Sequence, residues 1–375
     1  MTAEQTYLAW MRFALWDSPD GPANDDLRHS GLDPESLSAM LTIADRQKTR
    51  GLIFDALLRD TGSASGMDRE RMRQFLLQTF STHRMLDAAL SRAVQALRAA
   101  GIPAVLLKGQ GAARAYPNPL LRECGDIDLY IGPERLEEAV RVLTPLATEV
   151  GDGLHGKHWE VYFGEAEIEL HRDAMIPEHR RLRPYYRTLE ADGLSRGLVP
   201  LDFGGVRVDT PEPTFGAFYL FYHAWHHFVV GGIGFRQLCD WTLHLHVQRA
   251  TIDRERLLAM LHGMHLLRPW QLLGCIVVHD LGLPQEELPG YRASRLRASR
   301  RVLRMILREG NFGRGVRPRR PRPKGYLASK TYSFIGHIRR FCQVFPIAPG
   351  DATRVLATLT VTGFRRVLQD LLHPE

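Results

Sequence analysis

Three acidic residues in two predicted strands carry the strongest chemical signal in this sequence. Asp126 and Asp128 lie two positions apart in the run DIDLY, and side chains two positions apart on a strand leave the same face. Glu169 has the same alternation in IELH, so pairing of the two strands would bring its carboxylate beside the aspartates. Hard divalent ions such as Mg²⁺ prefer carboxylate oxygens. We therefore predict that Asp126, Asp128 and Glu169 form a catalytic, metal-binding group.

A lysine and a glycine precede this group at a predicted turn from strand to helix. The apolar run over residues 102–107 predicts a buried strand, and Lys108 and Gly109 follow it directly. Free backbone amides at the start of a helix favour phosphate, and the lysine adds a positive charge. Two Mg²⁺ ions can bridge a nucleoside triphosphate, with Mn²⁺ as the alternative metal. The turn therefore predicts a triphosphate site beside the carboxylates.

Two more residues are candidates for this site, and each has a structural alternative. Arg122 lies four residues before Asp126, so its guanidinium would either contact phosphate or pair with Asp126 and fix the loop. His171 shares the face of Glu169, and we favour a supporting hydrogen bond to that carboxylate over direct metal binding. Together with the Lys108–Gly109 pair, these residues complete the predicted nucleotide-binding set.

Strand patterns are confined mostly to the middle of the chain. Helical periodicity runs from residue 6 to about residue 100, and residues 101–172 indicate strand, helix, strand, helix and then a hairpin turning at 164–166. Beyond residue 177 the pattern is again largely helical, apart from a short strand pair around residues 198–208. We predict an α+β fold in which a small α/β core with a mixed sheet is flanked by helical regions. The predicted divisions are an N-terminal helical region (1–100), the catalytic core (101–175), a helical cleft wall (176–290), and a basic arm with a C-terminal helix (291–375).

Composition excludes several classes of protein. The 375 residues include 44% hydrophobic and 24% charged residues, which is ordinary for a globular chain and excludes disordered and fibrous proteins. No apolar run approaches the roughly 18 residues of a membrane-spanning helix, and the first residues lack the pattern of a secretory leader. The four cysteines are scattered singly and predict reduced thiols: Cys124, Cys239, Cys275 and Cys342. We expect a cytoplasmic protein without a transmembrane segment.

Positive charge is concentrated in one segment, residues 292–324. It holds thirteen basic residues against the single acidic Glu309, in a chain whose net charge is +7, so the remainder is mildly acidic. Such a basic segment could bind a nucleic-acid backbone, contact anionic lipid or form a solvated surface. We favour a nonspecific polyanion contact. Within it, the Pro- and Arg-rich residues 314–324 predict an exposed arm.

Several of these motifs together resemble a known family. LLKG at 106–109, Tyr116, RECGDIDL at 122–129 and IELH at 168–171 resemble the uncharacterised nucleotidyltransferase family of the DNA polymerase beta-type superfamily. The likeness spans roughly residues 1–282. It implies a nucleotidyltransferase fold, Mg²⁺ dependence, and transfer of a nucleoside monophosphate from a nucleoside triphosphate such as ATP. The acceptor stays open between a protein, a small metabolite, a sugar and an RNA end.

The resemblance extends to a downstream helical block that would line the cleft. His223 and His227, followed by Arg236 and Asp240 in FRQLCDW, match that block. The alternatives are a zinc site that also uses His226, hydrogen bonds within the helical layer, and an ion pair between Arg236 and Asp240. Two functions follow for the whole chain: a Mg²⁺-dependent nucleotidyltransferase, or a catalytically degenerate module that binds RNA or another polyanion through residues 292–324.

Overall fold

The computed structural model describes residues 1–16, 33–60, 68–153, 158–316 and 323–372. Its first part is helical, as predicted, with α1 (Ala3–Trp16), α2 (Pro34–Gln47), α3 (Arg50–Arg59) and α4 (Arg69–Ala99). The α2 helix begins at Asp33, whose carboxylate accepts hydrogen bonds from the amides of Glu35 and Ser36, and Asp68 caps α4 in the same way. Side-chain caps of this kind satisfy amides that have no partner within the helix.

A mixed seven-stranded sheet forms the centre of the described chain, with the order β3-β4-β5-β2-β1-β7-β6. The strands are β1 (Val105–Leu106), β2 (Asp126–Tyr130), β3 (Glu149–Val150), β4 (His158–Phe163), β5 (Ala166–His171), β6 (Val199–Phe203) and β7 (Val206–Thr210). The β2 and β5 strands are parallel, as are β1 and β7. The predicted mixed sheet and the hairpin at 164–166 are confirmed. The strand pair expected near residues 198–208 is also present, and it extends the sheet beyond residue 175.

The predicted elements around Lys108 are shorter in the structure. The strand expected over residues 102–107 is reduced to β1, and the helix expected as far as Tyr116 is the single turn α5 (Gln110–Ala113). Amides 114–116 bond to carbonyls three residues earlier rather than four, so the chain tightens into turns. Pro117 then prevents further helix.

The two faces of the sheet have different environments. Ile127 and Leu129 of β2 are fully buried, and they pack with the second half of α4 and with α6 (Leu136–Leu143). The intervening residues of β2 leave the opposite face, which lies toward the downstream helices. The alternation of DIDLY therefore divides core from site, as the sequence predicts.

Helices dominate the rest of the described chain. They are α7 (Arg183–Gly193), α8 (Pro213–Val230), α9 (Phe235–Val247), α10 (Arg254–Gly263), α11 (Leu267–His279), α12 (Leu296–Glu309), α13 (Tyr326–Val344) and α14 (Pro349–Leu372). The α8 helix is buried on most sides, with Phe221 and Trp225 in a core that also holds Trp241 and Trp270. None of the described helices is long and apolar enough to cross a membrane.

The basic segment is more ordered than an arm would be. Its first half is α12, whose Val302, Leu303 and Ile306 are buried while the arginines point outward. Residues 314–316, predicted to begin the arm, instead belong to a short 3₁₀ helix, Asn311–Val316. The remaining arm residues 317–322, which include Arg317, Arg319, Arg320 and Arg322, lie outside the described residues.

Candidate active site

The register of two parallel strands brings the acidic residues together. Asp128 of β2 is aligned with Glu169 of β5, and Asp126 lies one pleat away on the same face. One carboxylate oxygen from each of the three residues lies within 4.8 Å of the other two. The predicted proximity is confirmed, whereas the catalytic role of the group stays a prediction. Exposure differs within it, because the Asp128 side chain is 1% exposed and that of Asp126 is 39%.

The ammonium group of Lys108 lies between the two aspartates. Its Nζ atom is 2.5 Å from Asp128 Oδ2 and 3.3 Å from Asp126 Oδ2. Burial opposes the charge on Lys108, but the carboxylates of Asp128 and Asp126 raise the pKa of its ammonium above the usual range. Burial likewise opposes ionisation of Asp128, but Lys108 and His171 hold the pKa of that carboxyl well below its usual range. The site therefore carries paired, ionised groups at neutral pH.

Gly109 allows the chain to turn closely over β2. Its φ is +67°, in the left-handed region that residues with a Cβ atom rarely adopt. A Cβ placed there would lie 3.3 Å from the backbone oxygen of Asp126. The phosphate-binding argument from a helix start is weaker than the sequence predicted, because α5 is a single turn. The charge of Lys108 is the stronger feature at this position.

His171 joins the carboxylates from the end of β5. Its Nε2 atom lies 3.0 Å from Asp128 Oδ1 and 3.1 Å from Glu169 Oε2. Burial disfavours the imidazolium, but hydrogen bonds to Asp128 and Glu169 outweigh it and raise the pKa of His171 to about 9. His171 Nε2 is therefore within hydrogen-bonding distance of both carboxylates, and the supporting role that we favoured from sequence stays a prediction.

Arg122 pairs with Asp240 rather than with Asp126. Its Nε and Nη2 atoms donate to the two carboxylate oxygens of Asp240, each at 2.7 Å. The hydroxyl of Tyr116 donates to the same carboxylate at 2.7 Å. The ion pair between Arg236 and Asp240, one of the alternatives for these residues, is not formed, because Arg236 instead donates to the backbone oxygen of Glu123 at 2.6 Å. The arginine thus fixes the loop before β2, although through a different partner from the one predicted.

The histidines of α8 border the same space. The Nε2 atoms of His223 and His227 lie 3.2 Å apart, and burial holds the pKa of His223 well below its usual range. These two residues belong to no cluster of three or more potential metal ligands in the part of the chain that the structure describes, so a zinc site there is not supported.

All the predicted site residues line one cavity of about 400 Å³. It lies between the polar face of the sheet and helices α8 and α9, so the sequence-distant candidates do converge. The lining includes Lys108, Gly109, Arg122, Asp126, Asp128, Glu169, His171, His223, His227, Arg236 and Asp240. A pocket of this size is within the range of small-molecule and cofactor sites.

Sequence reasoning missed two residues of this region. His158 begins β4 and also lines the cavity; its alternation with Glu160 in HWE was the available signal. Glu190 of α7 accepts a hydrogen bond from the amide of Ala174 at 2.5 Å and thereby holds the loop beside the cavity. Nothing in the local sequence marks Glu190, because its contact spans 16 residues.

The acidic group fits a hard divalent cation. Three carboxylates on two adjacent strands face a cavity, and their oxygens are close enough to share one ion. Oxygen donors of this type suit Mg²⁺ or Mn²⁺. The positive charge that compensates two of these carboxylates in the structure is the ammonium of Lys108.

A protein-family model matches more than half of the chain. The model of a family described as "Uncharacterised nucleotidyltransferase" matches residues 33–282, which includes every predicted site residue. A crystal structure of an antigenic nucleotidyltransferase-like protein from Paracoccidioides brasiliensis is similar at 13% identity, covering 53% of this chain and 92% of that chain with a TM-score of 0.34. No curated protein matches the chain.

Proposed function

Because the chain belongs to the uncharacterised nucleotidyltransferase family, whose model covers residues 33–282, we propose that it transfers a nucleoside monophosphate from a nucleoside triphosphate to an acceptor. The observation that carries this proposal is the convergence of Asp126, Asp128 and Glu169 within 4.8 Å on one face of the sheet, toward a cavity. We propose a Mg²⁺-dependent enzyme whose acceptor is a protein, a metabolite, a sugar or an RNA end.

The three carboxylates would hold the metal. Bound there, Mg²⁺ would neutralise charge on the triphosphate and favour ionisation of the acceptor hydroxyl. Asp128 is the most buried of the group, so it provides the most rigid ligand. Glu169 is 19% exposed, and its carboxylate is therefore accessible enough to receive the acceptor proton.

Lys108 and Gly109 would contact the triphosphate. With a metal neutralising the aspartates, the Lys108 ammonium is free to face phosphate oxygens as a point charge. Gly109 has no side chain to obstruct that approach. Arg122 lines the cavity, but its guanidinium is held by Asp240, so we propose that it positions the loop and lies near the nucleotide rather than neutralising it.

The experiment is a labelling assay with the full chain. It is incubated with each of the four α-labelled nucleoside triphosphates, Mg²⁺ and a cell extract that supplies the acceptor. We expect nucleotide-labelled product from the unmodified chain and none from Asp126→Asn, a substitution at a partly exposed side chain that preserves shape. Glu165→Gln, at an exposed turn position, is the matched carboxylate control and should label normally. Absence of labelling with every nucleotide would contradict the proposal.

A second function, polyanion binding, is favoured by the surface of α12. Arg297, Arg301, Arg304 and Arg308 are exposed at spacings that place them on one face of this helix. They form no ion pair with any acid of the described residues. We propose that this face contacts a polyanion, whose affinity would fall steeply with salt. Salt-sensitive RNA binding that persists without labelling would favour this function over the enzyme, and substituting all four arginines by glutamine should abolish it.

A further inference from the structure

A second group of potential metal ligands lies beside the acidic one and contains two histidines. It consists of His158, Glu169 and His171, whose donor atoms all lie within 4.8 Å of one another. Glu169 is the only residue common to the two groups. The side chains are 30%, 19% and 13% exposed, in that order, and all three line the cavity, so an ion from solvent can reach them.

Strand pairing builds this group. The antiparallel register of β4 and β5 places His158 directly opposite His171 and Glu160 opposite Glu169. Directly paired residues point to the same face of a sheet, with Cβ atoms about 4.5–5.5 Å apart. The centroids of the two imidazole rings are accordingly 5.3 Å apart. Rigid strands therefore supply both histidines, and no loop has to close to bring them together.

The two oxygens of Glu169 point to different histidines. Oε1 lies 3.6 Å from His158 Nε2, and Oε2 lies 3.1 Å from His171 Nε2. The carboxylate of Glu160 adds a further negative charge, 3.6 Å from His158 Nε2. Two imidazoles and a carboxylate form a donor set with nitrogen as well as oxygen. Such sets suit Fe²⁺, Co²⁺ or Zn²⁺ better than Mg²⁺.

We propose that His158, Glu169 and His171 form a second cation site, selective for a divalent transition metal, and that Glu169 is shared between it and the oxygen-only site of Asp126 and Asp128. His171 Nε2 would then bind the metal directly, in place of the supporting hydrogen bond expected from the sequence, and a nitrogen that binds a metal carries no proton. Carboxylates commonly join two cations in this way at centres that act on phosphates. The site does not depend on nucleotide transfer, so the two proposals can fail separately.

The test is metal binding by the full chain after removal of metals with a chelator. Co²⁺ is the probe, because its visible absorption responds to nitrogen ligands, and calorimetry gives its affinity and stoichiometry. Two variants separate the groups, since His158 belongs only to the histidine group and Asp126 only to the acidic group. We expect His158→Ala, which leaves His171 as the remaining nitrogen ligand, to reduce the absorption of nitrogen-bound Co²⁺ and to weaken that binding by at least about 10-fold, the lower end of what loss of a supporting partner costs.

Two control variants carry substitutions outside the histidine group. Asp126→Asn should retain the nitrogen-ligand absorption, and so should His262→Ala, which removes an exposed histidine elsewhere. Excess Mg²⁺ should not displace the bound Co²⁺. His158→Gln, with its unfolding followed by circular dichroism, replaces the alanine variant if that chain does not fold. Unchanged Co²⁺ absorption in both folded His158 variants, or displacement by Mg²⁺, would overturn the proposal.

Discussion

Two clusters of cation and carboxylate border the same cavity, and they are built differently. In one, the planar guanidinium of Arg122 meets both oxygens of Asp240 at 2.7 Å, and Tyr116 donates to the same acid. In the other, the single ammonium of Lys108 is divided between Asp126 and Asp128 at 3.3 and 2.5 Å. Arginine forms a rigid fork with a carboxylate, whereas lysine is a point charge on a flexible stem.

This difference indicates that the Arg122–Asp240 pair is structural, whereas we propose that the cation beside Asp126 and Asp128 is exchangeable. The Arg122–Asp240 pair is closed, because both oxygens of the acid are bonded and both side chains are 5% exposed. The Lys108 cluster retains a partly exposed carboxylate, Asp126, on the cavity side. Under the proposed function, a divalent cation would take the place of the Lys108 ammonium beside the aspartates, and the ammonium would face the triphosphate. We therefore predict that substitutions in the Arg122–Asp240 cluster affect folding and that substitutions in the Lys108 cluster affect nucleotide transfer.

The largest effect is expected from removing the buried acid of the lysine cluster. Asp128→Asn should reduce nucleotide transfer by about 10³-fold, corresponding to about 4 kcal/mol, because the proposed metal ligand loses its charge. Rates of labelled product formation measure this loss, with Glu165→Gln as the control. A rate within a few-fold of the unmodified chain would contradict the assignment of Asp128.

The arginine cluster should respond in stability. Arg122→Met leaves Asp240 buried without its cation, so we expect the free energy of unfolding to fall by about 3 to 4 kcal/mol. Urea denaturation at neutral pH measures it. The double variant Arg122→Met with Asp240→Leu should recover part of the loss, since no unpaired charge is then buried. Equal stability of the single variant and the unmodified chain would show that the pair is not structural.

Glu190 contrasts with both clusters, because it is a buried acid that forms no ion pair within the described part of the chain. Burial raises the pKa of Glu190 to about 7, opposite to the direction for Asp128. The folded chain therefore holds this proton more tightly than the unfolded chain. The protonated carboxyl of Glu190 contributes its full stabilisation below the usual carboxyl pKa of about 4.5. This contribution declines by about 3 kcal/mol as the pH rises to about 7.

The check is the pH dependence of unfolding in Glu190→Gln. A neutral amide cannot lose a proton, so the difference in free energy of unfolding between the variant and the unmodified chain should change by about 3 kcal/mol from pH 4.5 to pH 7. The variant should gain relative stability toward neutral pH. A difference that is independent of pH would contradict the assignment of the raised pKa to Glu190.

The smallest effect is expected at Lys108 itself. Lys108→Met should weaken nucleoside triphosphate binding by about 10- to 30-fold, about 2 kcal/mol, because the proposed charged hydrogen bond to phosphate is lost. With Mg²⁺ present, the free energy of unfolding should change little, since the metal compensates the aspartates. Measured KM values test the first part, and Lys108→Arg, which keeps the charge, should weaken binding less. An unchanged KM would remove Lys108 from the triphosphate site.

Local alternation in the sequence was enough to predict the acidic group. The side chains of DIDLY and IELH divide between core and cavity wherever the strands lie, because the period of a strand is two. The helices of the N-terminal region and α8 to α11 were likewise predictable from apolar spacing. The α12 helix was not predicted, because arginines dominate the composition of this segment. The apolar residues between the arginines are the ones that bury one face of the helix.

The partners of the charged side chains were determined only by the tertiary structure. Arg122 and Asp240 are 118 residues apart, and no local pattern shows that a guanidinium will prefer this acid to Asp126. The same holds for His158, which becomes a neighbour of His171 only through the register of β4 and β5. Side-chain type and period determine which face a residue occupies, but the pairing of distant charges depends on how the strands and helices pack, since ion pairs act only over a few ångströms.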